Sequence, residues 1–329
     1  MIKVSVVVPT CWRNPLLKRC LDALIHQNFA SNSYEVIVVD DAACKETQAL
    51  VEDVQAEKEL PLLRYIPLPE YSGPAAARNA GWRAAQGDII AFTDDDTIPD
   101  VDWLAAGATV LMDNSIRIEE PVQAVTGKIR VPLPDKPTDY ELNVAGLQNA
   151  EFATANCFFR RDVLDLIGGF DENFKMAFRE DSDLFFTLLE HGGRVLYLPT
   201  AQVVHPIRPG QWGISLKQQA KGTFDALLYK KHPELFRRSI KPGTPWWYYG
   251  MLGALFAASV AFIAGRRKLA LGGLIAWVGL TGNFAVKRLT STSRAPGHIA
   301  EMLITSALIP PVAIFWRILG AIRYRVLFF

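Results

Sequence analysis

Three consecutive carboxylates, Asp94, Asp95 and Asp96, end an apolar run of strand length, Ile89 to Phe92. Side by side they cannot all stay ionised unless something positive sits among them. Asp94 and Asp96 are two apart, so on an extended chain they project the same way and can share one cation. Oxygen ligands at a strand end suit Mg²⁺ or Mn²⁺, with phosphate oxygens completing the shell. The competing reading is a solvated acidic loop. Further acids follow the same habit: Asp40-Asp41 ends the run Val36 to Val39, and Glu180, Asp181 and Asp183 crowd the first turn of an expected helix. Acids in a first turn also complement the helix dipole without any catalytic role. His205 follows Val203-Val204 and precedes Pro206, a place that a structural histidine fills equally well.

The elements that must position these groups alternate along the front of the chain. A β-branched strand over 3–8 ends in Pro9-Thr10. Asn14-Pro15 then opens a helix as cap and first residue, with Leu16, Leu17, Leu21, Leu24 and Ile25 at helical spacing. A strand over 34–39, a helix over 46–60, a strand over 62–66 and an alanine-rich helix from Gly73-Pro74 lead to the strand over 89–92. This β-α-β-α-β-α-β rhythm means a parallel sheet with helices on its faces. Ligands of such sheets bind beyond the carboxyl ends of the strands, so Thr10, Asp41 and Asp94 to Asp96 converge on one crevice. Beyond it come a helix over 103–112, a strand over 122–131, a proline-punctuated loop at 132–137 expected to move over the site, a strand over 153–159 and a helix over 161–167. The helix begun at Glu180 has Leu184, Phe185, Leu188 and Leu189 as its apolar face, and strands over 195–198 and 202–204 follow.

The bulk numbers exclude some classes. Net charge is +1, from 35 basic and 34 acidic residues, so no global field points to nucleic acid. The four cysteines (Cys11, Cys20, Cys44, Cys157) show no CxxC pairing, which argues for a reducing compartment and against a disulfide or zinc framework. The opening residues lack a charged leader and cleavage site, so the front half is expected in the cytoplasm. No GxGxxG follows the first strand, which speaks against a dinucleotide oxidoreductase.

From Ile2 to Pro206 the chain resembles the inverting nucleotide-sugar glycosyltransferases of family 2, of membrane-associated bacterial type. The resemblance rests on Val8-Pro9-Thr10, Val38-Val39-Asp40-Asp41 and Gly73 to Gly81 with Ala77-Arg78-Asn79-Ala80-Gly81. Thr93-Asp94-Asp95-Asp96, Gly168-Gly169-Phe170-Asp171-Glu172 and Glu180-Asp181-Ser182-Asp183-Leu184 complete it. It implies the GT-A fold, an α/β Rossmann-like, mostly parallel sheet with helices on both faces, and a Mg²⁺- or Mn²⁺-dependent reaction. It also implies roles. Asp41 would accept from the imide of a uracil or thymine, Pro9 and Thr10 would line base and ribose, and Arg78 would neutralise part of the diphosphate. Asp96 and Asp94 would hold the metal, Asp95 would turn to the ribose or the scaffold, and His205 would be a further metal ligand. Asp181 would be the catalytic base, with Glu180 and Asp183 as rivals.

The rest of the chain reads as membrane-facing. Trp212 to Ile240 mixes aromatics with Lys217, Lys221, Lys230, Lys231, Arg237 and Arg238, as helices on an anionic surface do. From Trp246 onward Glu301 is the one acid. Uncharged runs cover 242–265, opened by Trp246 to Tyr249 like an interfacial belt, then 269–286 and, shorter, 302–316 with Pro310-Pro311 as a place for a reversal. Three domains are expected: a catalytic domain over 1–210, a basic interfacial segment over 211–241 and a helical membrane region over 242–329 with two to three segments. If all three runs crossed from a cytoplasmic catalytic domain, Arg266-Arg267-Lys268 and Arg323/Arg325 would fall outside, against the positive-inside tendency. The expected activity is metal-dependent inverting transfer of one sugar, from a UDP- or dTDP-type donor to a lipid-linked saccharide or other membrane acceptor, at the cytoplasmic face of the inner membrane, in envelope or exopolysaccharide synthesis. The alternatives are transfer to a polyprenyl phosphate, or a catalytically silent nucleotide-sugar-binding scaffold.

Overall fold

A computed structural model describes residues 1–57, 61–112, 122–240 and 245–328. The chain divides into two compact units, one made of Met1–Pro132 with Gly146–Pro206, the other of Leu133–Ala145 with Ile207–Phe329.

The first unit is built on one eight-stranded sheet. Its strands are β1 (Val4–Thr10), β2 (Tyr34–Asp40), β3 (Leu62–Pro67), β4 (Ile89–Thr93), β5 (Ile98–Pro99), β6 (Ala124–Arg130), β7 (Asn156–Arg160) and β8 (Val195–Val204), in the order β3-β2-β1-β4-β7-β6-β8-β5. β3, β2, β1 and β4 run parallel, as the alternating pattern predicts; β7 is antiparallel to both β4 and β6. β1, β2 and β4 carry near-continuous apolar runs because helices cover both of their faces. The helices of this unit include α1 (Asn14–Leu24), α2 (Lys45–Glu57), α3 (Pro74–Ala84), α4 (Trp103–Met112), α6 (Arg161–Ile167) and α7 (Glu180–Glu190), with α3 packed on β1 and β2 and α4 on β4. The expected end of α2 at Leu60 lies outside the described residues. Chain order reverses at β1, whose neighbours are β2 on one side and β4 on the other, so a topological switch point opens between the ends of β1 and β4.

Two local expectations are corrected. Asn14 does not cap α1: it lies inside the first turn, and its side-chain oxygen accepts from the Thr47 hydroxyl at 2.9 Å. The stretches 195–198 and 202–204 are one strand, β8, paired in parallel with β6 across a register shift between Gly127 and Lys128. Asn156 fastens that irregularity, its amide donating to the carbonyls of Lys128 (3.0 Å) and Ala201 (2.9 Å) while its oxygen accepts from Trp103 Nε1 (2.8 Å).

The second unit holds α5 (Asp139–Ala145), α8 (Ile214–Gln218), α9 (Thr223–Lys231) and the single turn α10 (Pro233–Leu235). Three helices long and apolar enough to cross a membrane follow: α11 (Trp246–Ile263), α12 (Arg267–Leu289) and α13 (Pro296–Tyr324). The stretch before α5 is fastened within this unit. Pro137 accepts from the Ser293 amide at 2.7 Å, and Asp139 takes two bonds from Arg288 at 2.7 and 3.2 Å. No reversal occurs at Pro310-Pro311; both sit inside the unbroken α13. A proline in a helix removes one backbone bond, and its neighbours can absorb that loss.

Candidate active site

β4 ends at Thr93, and the acids lie in the turn beyond it. Thr97 ties the turn back, its hydroxyl and amide both reaching the Asp94 carbonyl at 2.8 and 3.2 Å. The chain then enters β5, which pairs antiparallel with β8 so that Ile98 faces Val204. This pairing brings the residue after β8, His205, beside the acidic turn. His205 Nε2 lies 3.3 Å from Asp96 Oδ1. One ligand atom each from Asp94, Asp96 and His205 all fall within 4.8 Å of one another. Two carboxylate oxygens and one imidazole nitrogen, two of the three residues buried, form a donor set that fits a divalent cation of the Mg²⁺ or Mn²⁺ kind.

The three acids have separate environments. Asp94 is part-exposed and receives Arg78 Nη2 at 2.7 Å. Burial would raise its pKa, but the charge and hydrogen bond of Arg78, with His205 and Arg13 nearby, hold it below the ordinary value. Asp95 turns inward, accepting from the Thr10 hydroxyl at 2.8 Å and from Arg13 Nη1 at 3.0 Å. Burial, opposed by Arg13 and reinforced by the Asp96 charge, pushes Asp95 up to about 6. Thr10 and Asp95 thus link the ends of β1 and β4 across the switch point, and Pro9 lies one residue before Thr10, opposite Val39 of β2.

Arg78 lies on α3. Its guanidinium is buried, with Nη2 on Asp94 and Nη1 donating to Glu180 Oε1 at 3.0 Å. Both arms are taken by carboxylates, so its charge ties the acidic turn to α7. α3 is held against the sheet by Gly81, where a side chain would overlap Val7 and Val39. One residue after Arg78, Asn79 receives the Phe170 amide (2.9 Å) and donates to the Phe170 carbonyl (2.8 Å), pinning the Gly168-Gly169 loop ahead of α7.

Glu180 and Asp181 open α7. Glu180 is pushed up to about 7 by burial and by the Asp181 charge, against the pull of Arg78. Burial also raises Asp181, partly offset by the Ser182 amide, which donates to it at 2.7 Å, and by the charges of Arg78 and Arg179. Asp181 is half-buried while Asp183 is buried, so among the rivals only Asp181 combines access with desolvation. Phe174 and Phe185 are buried nearby in sequence, and Arg179 lies over the Phe178 ring at 4.6 Å.

Asp41 spends its carboxylate on the loop before α3, accepting the amides of Ser72 (2.7 Å) and Gly73 (2.9 Å). A base imide would have to take a remaining lone pair. Three features are not read from the sequence. Trp12 and Tyr71 stack with planes 6° apart and centroids 6.3 Å apart, and both rings are exposed, 72% and 67%. Aromatics just past a strand end and just before Gly73-Pro74 are the signal that could have found them. Arg13 as the partner of Asp95 is the second. Third, Trp12, Ala43 and Arg179 are non-glycine residues with left-handed backbone (φ 51°, 49° and 76°), after β1, after β2 and before α7. Such strain costs about 1–3 kcal/mol a residue and gathers where geometry serves function; no sequence pattern announces it.

With this geometry in place, comparison with known proteins fixes the class. Residues 5–168 match the family model Glycosyl transferase family 2, and residues 89–319 match Glycosyl transferase family group 2. The chain belongs to glycosyltransferase family 2 and is a glycosyltransferase. It is 26% identical over 227 residues to glycosyltransferase AglE of Haloferax volcanii, covering 66% of this chain and 70% of that one. It is 27% identical over 284 residues to the pre-mycofactocin glycosyltransferase of Mycobacterium tuberculosis, covering 80% of this chain and 57% of that one. The mannosyltransferase PcManGT from Pyrobaculum calidifontis, solved with GDP-Man and Mn²⁺, superposes with a TM-score of 0.55 at 21% identity, over 98% of this chain and 87% of that chain. That likeness establishes the GT-A fold.

Proposed function

We propose that the protein transfers a single sugar, with inversion, from a nucleotide-diphosphate sugar of UDP or dTDP type to the hydroxyl of a lipid-linked saccharide or other membrane acceptor. The observation that carries this reading is the convergence of Asp94, Asp96 and His205 within 4.8 Å, tied through Arg78 to the start of α7, where Asp181 sits. Asp94, Asp96 and His205 would hold Mg²⁺ or Mn²⁺, which when bound stabilises the negative charge on the departing diphosphate. The exposed Trp12–Tyr71 pair offers flat faces for a nucleobase; Trp12 follows Pro9 and Thr10, and Tyr71 precedes Ser72 and Gly73, whose amides Asp41 accepts. Asp181 takes the proton of the acceptor hydroxyl as that oxygen bonds to the anomeric carbon; the bond from that carbon to the phosphate oxygen breaks, and the nucleoside diphosphate leaves with the electron pair. A carboxyl raised above its ordinary pKa is the better base for a hydroxyl. A phosphate acceptor is already ionised, needs no base, and would be repelled by Glu180 and Asp181.

Three apolar helices and the basic segment from Trp212 support work at a membrane, with the catalytic unit on the cytoplasmic side of the inner membrane, in envelope or exopolysaccharide glycan assembly. The domain division we propose is catalytic over 1–210, interfacial over 211–241 and membrane over 242–329. The test is a panel of nucleotide sugars assayed with membranes holding the full chain, with Mg²⁺ or Mn²⁺ and with chelator, following nucleoside diphosphate release. Release from a UDP- or dTDP-sugar that requires both the metal and an extractable lipid acceptor is expected. Donor binding without transfer to any acceptor would favour a silent scaffold.

A further inference from the structure

We propose that of the three apolar helices only α11 and α12 cross the bilayer, as a hairpin, while α13 lies in the plane of the membrane surface at the hairpin's base. The inference rests on the reading that these helices meet a bilayer, and adds the orientation that reading leaves open.

The hairpin is defined by its contacts. α11 and α12 turn at Gly265, whose φ of +72° suits a glycine, and they close midway, where a side chain on Gly273 would overlap Ala258. At their other ends Trp247 and Tyr248 both lie 5.6 Å from Phe284. Apart from that mutual contact and the packing of α13 on it, the hairpin stands bare, with only 11% of each apolar stretch buried. Large apolar side chains project on all sides near the turn, Phe262, Ile263 and Leu269 among them. At 18 and 23 residues, the two helices are about 27 and 35 Å long at ~1.5 Å per residue, and both lengths fall in the range of about 17–25 residues that spans a hydrocarbon core.

α13 is packed otherwise. A third of its apolar stretch (33%) is buried, and it packs on the charged stretch 213–236 as well as on α12 and α11. Near its start, Glu301 accepts the Gly213 amide at 2.7 Å. Near its end, Gly320 lies so close to α9 that a side chain there would meet the Thr223 carbonyl. Beyond it, Phe328 packs on Tyr229 and Phe236, centroids 5.3 and 5.5 Å away, with the Arg317 guanidinium over its ring. It meets the hairpin at the base, where Arg288 in the last turn of α12 donates to Thr305 (2.7 Å) and Ser306 (3.1 Å).

Both ends of α13 are therefore fastened to one segment that carries Lys217, Lys221, Asp225, Lys230 and Lys231. Were α13 to span, that segment and Arg317 would be drawn into the hydrocarbon with it, where ionised side chains are strongly disfavoured. The two faces of α13 fit an in-plane position. His298, Glu301, Thr305 and Ser306 turn to the protein, and Leu303, Leu308, Phe315, Ile318 and Ile322 turn outward. The protein-facing side also buries Met302, Ile309 and Ile314. The polar groups thus gather on one side near the start of α13 while the outward side is apolar, and a helix with an apolar face turned to lipid can lie in the interface. The charge bias also falls into place. Lys287, Arg288, Arg294, Arg323 and Arg325 then share the side from which α11 starts, outnumbering Arg266, Arg267 and Lys268 at the turn, as a cytoplasmic base requires.

The test uses the full chain in sealed vesicles of one orientation, with a membrane-impermeant maleimide on Lys268→Cys, Arg294→Cys and Leu327→Cys, the parent chain giving the background of its native cysteines. Arg294→Cys and Leu327→Cys should label from one side and Lys268→Cys from the other. Leu327→Cys labelling with Lys268→Cys would show that α13 spans, and all three on one side would show that the hairpin does not cross; either overturns the proposal. Nitroxides at Leu303→Cys, Phe315→Cys and Ile322→Cys should report one shallow depth, and a depth at Phe315→Cys near mid-bilayer, with the others at opposite surfaces, would overturn it independently. Release of the parent chain by alkaline carbonate is a separate failure: it would remove the membrane reading itself.

Discussion

Arg78 donates to Glu180 at 3.0 Å while its other arm donates to Asp94 at 2.7 Å, so one buried guanidinium fixes both the acidic turn after β4 and the first residue of α7. Removing one member of such a buried set leaves the others uncompensated. Arg78→Ala should lower stability by about 3–5 kcal/mol. Arg78→Lys keeps the charge but lacks the planar fork that spans two carboxylates. It should fold, and its apparent affinity for Mn²⁺ should fall about 10–100-fold, because Asp94 is no longer oriented. Titrating activity and metal binding against Mn²⁺ separates the two effects; an Arg78→Lys protein with unchanged metal dependence would remove the positioning role.

His205 is brought to Asp96 by the pairing of β5 with β8, not by sequence neighbourhood. As a ligand it should matter for the metal and little for the fold. His205→Ala is expected to weaken Mn²⁺ binding, measured by calorimetry, with activity partly recovered at high metal concentration. Asp96→Asn should not recover, since it would remove the charged member of the proposed ligand pair. Equal metal affinity in the parent and His205→Ala would mean that the histidine only supports Asp96.

The catalytic assignment predicts that Asp181→Asn loses about 10²–10⁴-fold in turnover while donor affinity stays near that of the parent. Asp183→Asn, at a buried position, should instead act through stability. Rapid-quench turnover beside donor calorimetry distinguishes them, and turnover retained in Asp181→Asn would sink the assignment.

Much of this arrangement is legible in the residues themselves, and the rest is hidden from them for physical reasons. The alternation of buried strands with helices in residues 3–93 puts Thr10, Asp41 and Asp94 to Asp96 at strand ends, because a parallel sheet leaves no other place for them. How the carboxylates are shared out is not legible in this way. Asp41 serves the amides of Ser72 and Gly73, Asp95 serves Thr10 and Arg13, and Arg78 is spent on Asp94 and Glu180. Each of these partnerships is fixed by packing between segments distant in sequence, and composition is blind to it. The same holds for Pro310-Pro311, which reads as a break and is tolerated inside α13.

The pH dependence follows from the raised carboxyls of α7. As the proposed base Asp181 would have to be ionised to act, and burial holds its pKa above the ordinary carboxylate value, so kcat/KM should fall as pH drops through a limb placed above the ordinary carboxylate range. Glu180, at about 7, titrates with it, so the limb belongs to the pair. Glu180→Gln keeps an acceptor for Arg78 and deletes the neighbouring charge, so the limb should move to lower pH. A limb that stays where it was would show that Glu180 and Asp181 titrate independently.

The last prediction joins stability to the site through Asn156. Its side chain serves the carbonyls of Lys128 and Ala201 and the indole N–H of Trp103, all at the irregularity where β6 and β8 shift register. Asn156→Ala strands the buried Trp103 indole N–H and Ala201 carbonyl, each worth about 1–3 kcal/mol when left unsatisfied, together with the part-buried bond to the Lys128 carbonyl. The second half of β8 then loses the anchor that sets where it ends. Since His205 directly follows β8, the variant should lose metal affinity as well as thermal stability, although Asn156 is not itself one of the metal-facing residues. Gly127→Ala should do the same from the other strand, because its added methyl would overlap the Ala201 carbonyl. Thermal unfolding with and without Mn²⁺ gives both quantities at once. The midpoint should drop in each variant, and the upward shift on adding metal should shrink. A lowered midpoint with an undiminished metal shift would show that the end of β8 holds His205 in place without this anchor.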